Sequence, residues 1–251
     1  MMNPPPRPMK RNLPPARPDP DGILLADKPS GMTSHDVVDR VRRHFGFRKV
    51  GHGGTLDPMA TGLLVMLIGR GTKVSARIMN SDKTYEGEMR LGVATSTEDV
   101  DGEVLETRDA SAVTREQLEA EMARRTGDLM QTPPMVSAVK KQGVPLYKLA
   151  RKGREIEREP RLIHVFEFTL LDYPPPRARF RLRCTKGTYV RTLCADIGRA
   201  LGCGAHLSAL RRTQAGDYLV TDAVPLDTMM TFSRDDLWER LLPLPPLTPM
   251  G

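Results

Sequence analysis

The octapeptide Gly51-His52-Gly53-Gly54-Thr55-Leu56-Asp57-Pro58 sets a lone carboxylate, Asp57, at the end of a glycine-rich loop, with an imidazole, His52, five residues upstream. Three glycines in four positions let a backbone approach a ligand closely, or take positive φ values that other residues resist. Pro58 stiffens the turn behind the carboxylate. Such a loop suits a bound ligand. It also suits a tight connector in which Asp57 bonds its own backbone, and the surroundings must decide between the two.

Outward from this loop the pattern alternates strand and helix. Downstream, Leu63–Ile68 is a continuous apolar run, as in a strand buried on both faces. Upstream, Ile23–Ala26 reads as a short apolar strand. Thr33 or Ser34 then caps a helix with Val37, Val38, Val41 and Phe45 on one side and arginines on the other, stopped by Gly46. Thr84–Leu91 puts Tyr85, Gly87, Met89 and Leu91 on one face and charges on the other, the period of a strand. Thr114 with Gln117 forms a capping box before a helix carrying Leu118 and Met122. Between Leu162 and Cys184 two strands flank a turn at Pro174–Pro176. In the second, Arg177, Arg179, Arg181 and Arg183 alternate with Ala178, Phe180, Leu182 and Cys184, which sends the arginines to one face. Leu193, Ile197 and Leu201 mark a last helix, ended by Gly202. No internal repeat interrupts this order, and the fold class it predicts is α/β.

Composition bounds the rest. A chain of 251 residues with 39% hydrophobic and 27% charged residues is an ordinary globular protein of one or two domains. The net charge of +7 favours a polyanionic partner, most simply nucleic acid, although a well-solvated surface explains it too. Cys184, Cys194 and Cys203 form no Cys-x-x-Cys pair, and His206 after Cys203 is too isolated for a zinc site, so buried free thiols are expected and no metal. Gly69-Arg-Gly-Thr-Lys73 lacks the spacing of a phosphate loop, and no dinucleotide fingerprint occurs. No apolar run approaches 18 residues and no signal peptide opens the chain, so a cytoplasmic location is expected. Residues 1–20, with eight prolines and Arg7, Lys10, Arg11 and Arg17, read as a disordered basic arm. The Pro-rich end, Leu241–Gly251, reads as a loose end or a short extended segment.

The loop has a recognisable neighbourhood. Gly51–Leu64 (GHGGTLDPMATGLL) resembles the catalytic loop of the TruB family, the bacterial tRNA pseudouridine-55 synthases. Four further segments resemble that family in the same order. They are Ile23–Ser34 (ILLADKPSGMTS), Ser81–Gly102 (SDKTYEGEMRLGVATSTEDVDG), and Gln131–Lys140 (QTPPMVSAVK) continuing to Leu146-Tyr147 and Ala150-Arg151. The last is Lys186–Leu193 (KGTYVRTL) with Leu201–Arg212 (LGCGAHLSALRR). Together they span about residues 22 to 215.

The resemblance implies a pseudouridine synthase fold: a mixed, largely antiparallel sheet flanked by helices, with an RNA-binding cleft. Residues 21–217 form the catalytic domain, with a family insertion near 130–158. The remaining residues, 218–251, are a tail too short for a complete PUA domain, which is expected to be reduced or absent. The implied activity is isomerisation of uridine 55 in the tRNA T loop, by base flipping, with no cofactor. Uracil is detached from its ribose, turned over and reattached through carbon, so no redox change is involved.

By the same resemblance Asp57 is the catalytic carboxylate, Tyr85 stacks on the target base, and Arg191 pairs with Asp57 to hold it oriented. His52 lies near the flipped nucleotide, Tyr189 and the Leu210 backbone line the pocket, and Lys28 with Pro29 supports its floor. Each role has a bland counterpart: His52 as a loop cap, Tyr85 as a strand aromatic, Tyr189 as core, Arg191 as surface. The approach of the arginine strand to KGTYVRTL favours contact with the RNA backbone over a plain solvated face. The partner implied is the tRNA T stem-loop, with no membrane, and the protein is expected as a monomer. The rival is an RNA-binding and folding module whose isomerase activity is incidental or lost.

Overall fold

In a computed structural model, the described residues are 18–135, 137, 140, 141, 144, 145 and 157–245. Most of the N-terminal arm and of the expected insertion lies outside them. The elements run in chain order: β1 (Gly22–Lys28), α1 (Ser34–Phe45), β2 (Val50–His52), β3 (Thr61–Ile68), a 3-10 turn (Gly69–Val74), α2 (Ser75–Asn80), β4 (Lys83–Leu91), β5 (Val93–Thr95), β6 (Val104–Thr107), α3 (Arg115–Ala123) and β7 (Gly127–Gln131). After the short pair β8 (Lys140–Lys141) and β9 (Val144–Pro145) come β10 (Arg161–Asp172), β11 (Arg177–Cys184), α4 (Val190–Ala200), β12 (Ala205–Ala215), β13 (Tyr218–Leu219) and β14 (Val224–Pro225). Two short helices, α5 (Leu226–Met229) and α6 (Arg234–Glu239), follow.

One mixed sheet carries the order β14-β1-β3-β12-β4-β11-β10-β7, with β2 on β3 and β13 on β12. Only β1–β14 and β3–β12 pair in parallel; the other ladders of this sheet are antiparallel. The apolar run of β3 sits centrally and is buried on both faces, as its unbroken hydrophobicity requires. Leu64, Met66 and Ile68 face α1, packing with Val37, Val41 and Phe45. Leu63, Val65 and Leu67 face the opposite way, onto Val74 and Ile78. A third cluster lies under α3 and α4, where Met89, Phe180, Leu182 and Leu207 meet Leu118, Leu193 and Ile197.

Local signals set the helix ends. Thr33, not Ser34, caps α1: its side chain accepts from the Asp36 amide while Asp36 returns a bond to the Thr33 amide, and Gly46 closes the helix in the left-handed region. Ser34 is freed for another use, described below. Thr114 and Gln117 form the same box at α3. At the other end of the chain, β14 adds to β1, and Leu226, Met229 and Leu237 enter the α1 core. The backbone of Leu242 then bonds Ile23 in both directions, at 2.8 and 3.0 Å.

The arginine strand β11 alternates exposed and buried residues along its whole length. In register, Leu182 lies opposite Tyr85 and Phe180 opposite Gly87, whereas Arg181 and Arg183 lie opposite Glu86 and Thr84. The arginines therefore occupy the sheet face away from Tyr85. Arg181 approaches Glu167 at 3.7 Å and Arg183 approaches Asp82 at 3.4 Å, so acids answer much of their charge. The three cysteines are buried and unpaired.

Candidate active site

The loop carrying Asp57 is fixed from both sides. Ser34, inside the first turn of α1, accepts from the Leu56 amide at 2.8 Å and donates to the Leu56 carbonyl at 3.2 Å. Lys28, fully buried at the end of β1, donates to the carbonyls of Pro29, Met32 and Pro58 at 2.8, 2.6 and 3.2 Å. Asp57 thus sits between two clamped residues. The glycines are used as close approaches: a Cβ at Gly53 would overlap Ile78, and Gly54 takes a positive φ of 147°.

Arg191, in the first turn of α4, meets the Asp57 carboxylate with Nε at 2.9 Å and Nη2 at 3.5 Å, a two-pronged contact. Its Nη1 donates to the Thr97 carbonyl at 2.9 Å and lies 3.4 Å from Asp99. Arg191 is 3% exposed and Asp99 is 7% exposed, while the Asp57 side chain keeps 36% of its surface open. The buried members of this Asp–Arg–Asp array hold the one that faces outward. Asp99 is itself oriented by the Thr97 hydroxyl at 2.5 Å and the Asp101 amide at 3.2 Å. Burial pushes the Asp57 carboxyl above its ordinary value; Arg191 opposes this and Asp99 adds to it.

A cavity of about 270 Å³ opens over this array, lined by Asp57, Tyr85, Tyr189, Arg191, Leu210 and Arg212 among others. Burial pushes the Tyr85 hydroxyl up to about 12, so it stays protonated at neutral pH. Tyr189 caps α4 by its backbone, and Gln131 of β7 holds it there, accepting from its amide at 2.8 Å and donating to its carbonyl at 3.0 Å. Thr61 bonds the Leu210 carbonyl at 3.4 Å. Lys83 extends its amine to the carbonyls of Ile78, Met79 and Ser81, and burial pulls it down to about 8. Among the described residues no group of His, Cys, Asp and Glu is arranged to hold a metal ion.

The structure brings together Asp57, Tyr85, Tyr189, Arg191 and Leu210 as the sequence suggests. Lys28 stands behind the loop and braces it. His52 stands back from the cavity wall on β2, where its Nδ1 accepts from the Gly54 amide at 3.3 Å. Burial and the charge of Arg212 both lower its pKa. Sequence reasoning missed Asp99, Ser34, Lys83 and Arg212. All four lie in quoted segments, and Arg212 carried one signal: it is an arginine two residues after Leu210, on the apolar side of an alternating strand.

Comparison with known proteins gives the family and the fold. Residues 42–190 match the family model described as TruB family pseudouridylate synthase (N terminal domain). Residues 191–245 match the tRNA pseudouridylate synthase B C-terminal domain. A relative named tRNA pseudouridine synthase B, from Opitutus terrae, is 52% identical over 224 residues, covering 89% of this chain and 93% of its own. One of the same name from Syntrophotalea carbinolica is 48% identical over 222 residues, covering 88% and 72%. Among solved structures, a Cbf5-Nop10-Gar1 complex superposes with a TM-score of 0.71 at 28% identity, over 89% of this chain and 60% of that one. An H/ACA RNP bound to a substrate RNA containing 2'-deoxyuridine gives 0.63 at 26%, over 84% and 52%. The fold is that of the pseudouridine synthases, and the chain belongs to the TruB family.

Proposed function

We propose that this protein isomerises uridine 55 of the tRNA T loop to pseudouridine, with Asp57 as the catalytic carboxylate. The observation that carries the reading is a half-open carboxylate held by a buried arginine at the floor of a cavity sized for one small ligand. The reaction breaks the bond from uracil N1 to the ribose, forms one from C5, and exchanges the C5 proton for one at N1. Asp57 serves as nucleophile or proton shuttle; its burial makes it more basic than a solvated carboxylate.

The target base is stacked inside a folded loop and must be extruded, at a cost of a few kcal/mol. Stacking on Tyr85 offsets about 1–3 kcal/mol of that, and contacts between basic surface and phosphates supply the remainder. Tyr85, protonated, offers a ring and a hydroxyl donor. Tyr189 and the Leu210 backbone line the base pocket, and His52 and Lys28 keep the loop in shape. The domain reading is a catalytic unit over 21–217 with 218–251 as a short C-terminal addition. The protein acts as a monomer in the cytoplasm.

The test is to incubate the protein with an unmodified tRNA transcript and map pseudouridine by carbodiimide adduct and primer extension. A single stop at position 55 is expected, and none after a U55C change in the RNA. Stops at other uridines, or none with tRNA bound, would contradict the reading. The latter outcome would favour a folding module.

A further inference from the structure

Arg212 is an anomaly in this site. It is 2% exposed and sits on the core-facing side of β12, where its neighbours in the alternation are apolar. Its Nε donates to the Leu63 carbonyl at 2.8 Å, Nη1 to the Thr55 carbonyl at 3.3 Å, and Nη2 to the Gly54 carbonyl at 3.1 Å. All three partners are carbonyls, and among the described residues no ion pair includes it. A buried charge answered only by dipoles is a poor way to stabilise a core, since a well-packed apolar residue of similar volume often does as well or better. The benefit must be sought in what the guanidinium holds.

It holds three segments of the site at once. Its backbone lies opposite Gly62 of β3 in one ladder and opposite Tyr85 of β4 in the other. Its side chain ties the two carbonyls that precede Leu56 and Asp57, and it lies beside the Tyr85 hydroxyl. Gly62 keeps a positive φ of 96°, and a Cβ there would collide with the Arg212 carbonyl, so the strands meet as closely as a backbone permits. Lys28 and Ser34 brace Leu56 and Pro58 from the far side. Without Arg212 the near side of the loop would be free to slide against the Tyr85 strand.

We propose that Arg212 is a positioning residue that locks the Gly54–Thr55 backbone to the Tyr85 strand, fixing the Asp57 carboxylate relative to the aromatic ring. The inference rests on Asp57 carrying the reaction. It assigns no chemistry to Arg212 itself. Its planar fork, which spans three carbonyls, is the feature required, and lysine cannot reproduce that.

The experiment compares Arg212→Met and Arg212→Lys with the native protein, in tRNA binding, kcat, KM and the titration of His52 by NMR. The native rate is the control, because a protein without isomerase activity would show none and would sink the functional reading instead. Arg212→Met is expected to fold, bind tRNA with unchanged Kd and KM, and lose kcat by about 100-fold, the penalty of ångström-scale misplacement. In that variant the His52 pKa should rise, since the Arg212 charge now depresses it. Arg212→Lys should restore the low His52 pKa but not kcat, which separates the fork from the charge and carries the test if the methionine variant fails to fold. Native kcat in Arg212→Lys, or losses of Kd and thermal midpoint that match the loss of rate, would overturn the proposal.

Discussion

At the scale of the residue, the site is a contest over one carboxylate. Burial raises the Asp57 pKa from 3.8, Arg191 works against that, and Asp99 behind the arginine works with it. In the proposed role Asp57 acts as the carboxylate, so activity is expected to be lost as pH falls through this raised value. The acid limb of a single-turnover pH–rate profile should therefore lie above 3.8. Arg191→Gln removes the opposing cation and should move that limb further up while lowering the rate; an unmoved limb would contradict the pairing. The same shift has a stability sign. A carboxyl that binds its proton more tightly when folded loses stability as pH rises from 3.8 through its folded pKa. Asp57→Asn should thus have a thermal midpoint at pH 7 no lower than the native chain's. Lys28 differs: its amine is the shared donor of three carbonyls, and Lys28→Met takes that donor from Pro29 and Met32 while Pro58 keeps the Gly31 amide at 2.9 Å. A loss of about 2–4 kcal/mol is expected in urea unfolding.

At the scale of the element, α1 does two jobs with adjacent residues. Thr33 caps it and Ser34 anchors Leu56, so the helix that fills the core also sets the height of the loop that carries Asp57. Thr33→Ala should cost about 1 kcal/mol in stability, the usual worth of an N-cap, with activity retained at a temperature where both proteins are folded. Much of this was legible in the sequence, because periodicity is local. The faces of β3, β4 and β11, and the Thr114–Gln117 capping box, follow from residues within one or two turns of each other. The strands β2 and β14 are two or three residues long and exist only through pairing with β3 and β1 elsewhere in the chain, so no short window of sequence announces them. Asp57, Tyr85 and Arg191 were reached through resemblance to a family, since nothing local joins residues 134 apart. Arg212 and Asp99 went unnoticed because their meaning lies in partners supplied by other elements.

At the scale of the whole molecule, a net charge of +7 meets a polyanion. The arginines of β11 lie on the sheet face away from the cavity and are partly neutralised by acids, so they are not the main source of attraction at the pocket. Binding of tRNA should still weaken at least about tenfold between 50 and 200 mM salt, the behaviour of a complex held by several phosphate contacts. Replacing Arg179 and Arg181 by glutamine should change that slope little. The account stands on Asp57, and the most direct measurement is release of tritium from 5-tritiated uridine in an unmodified tRNA transcript, native chain against Asp57→Asn, with tRNA binding measured in both. Release by the native protein and none by the variant, at equal binding, is the expected result. Release by Asp57→Asn at the native rate would contradict the account and move the chemistry to another residue.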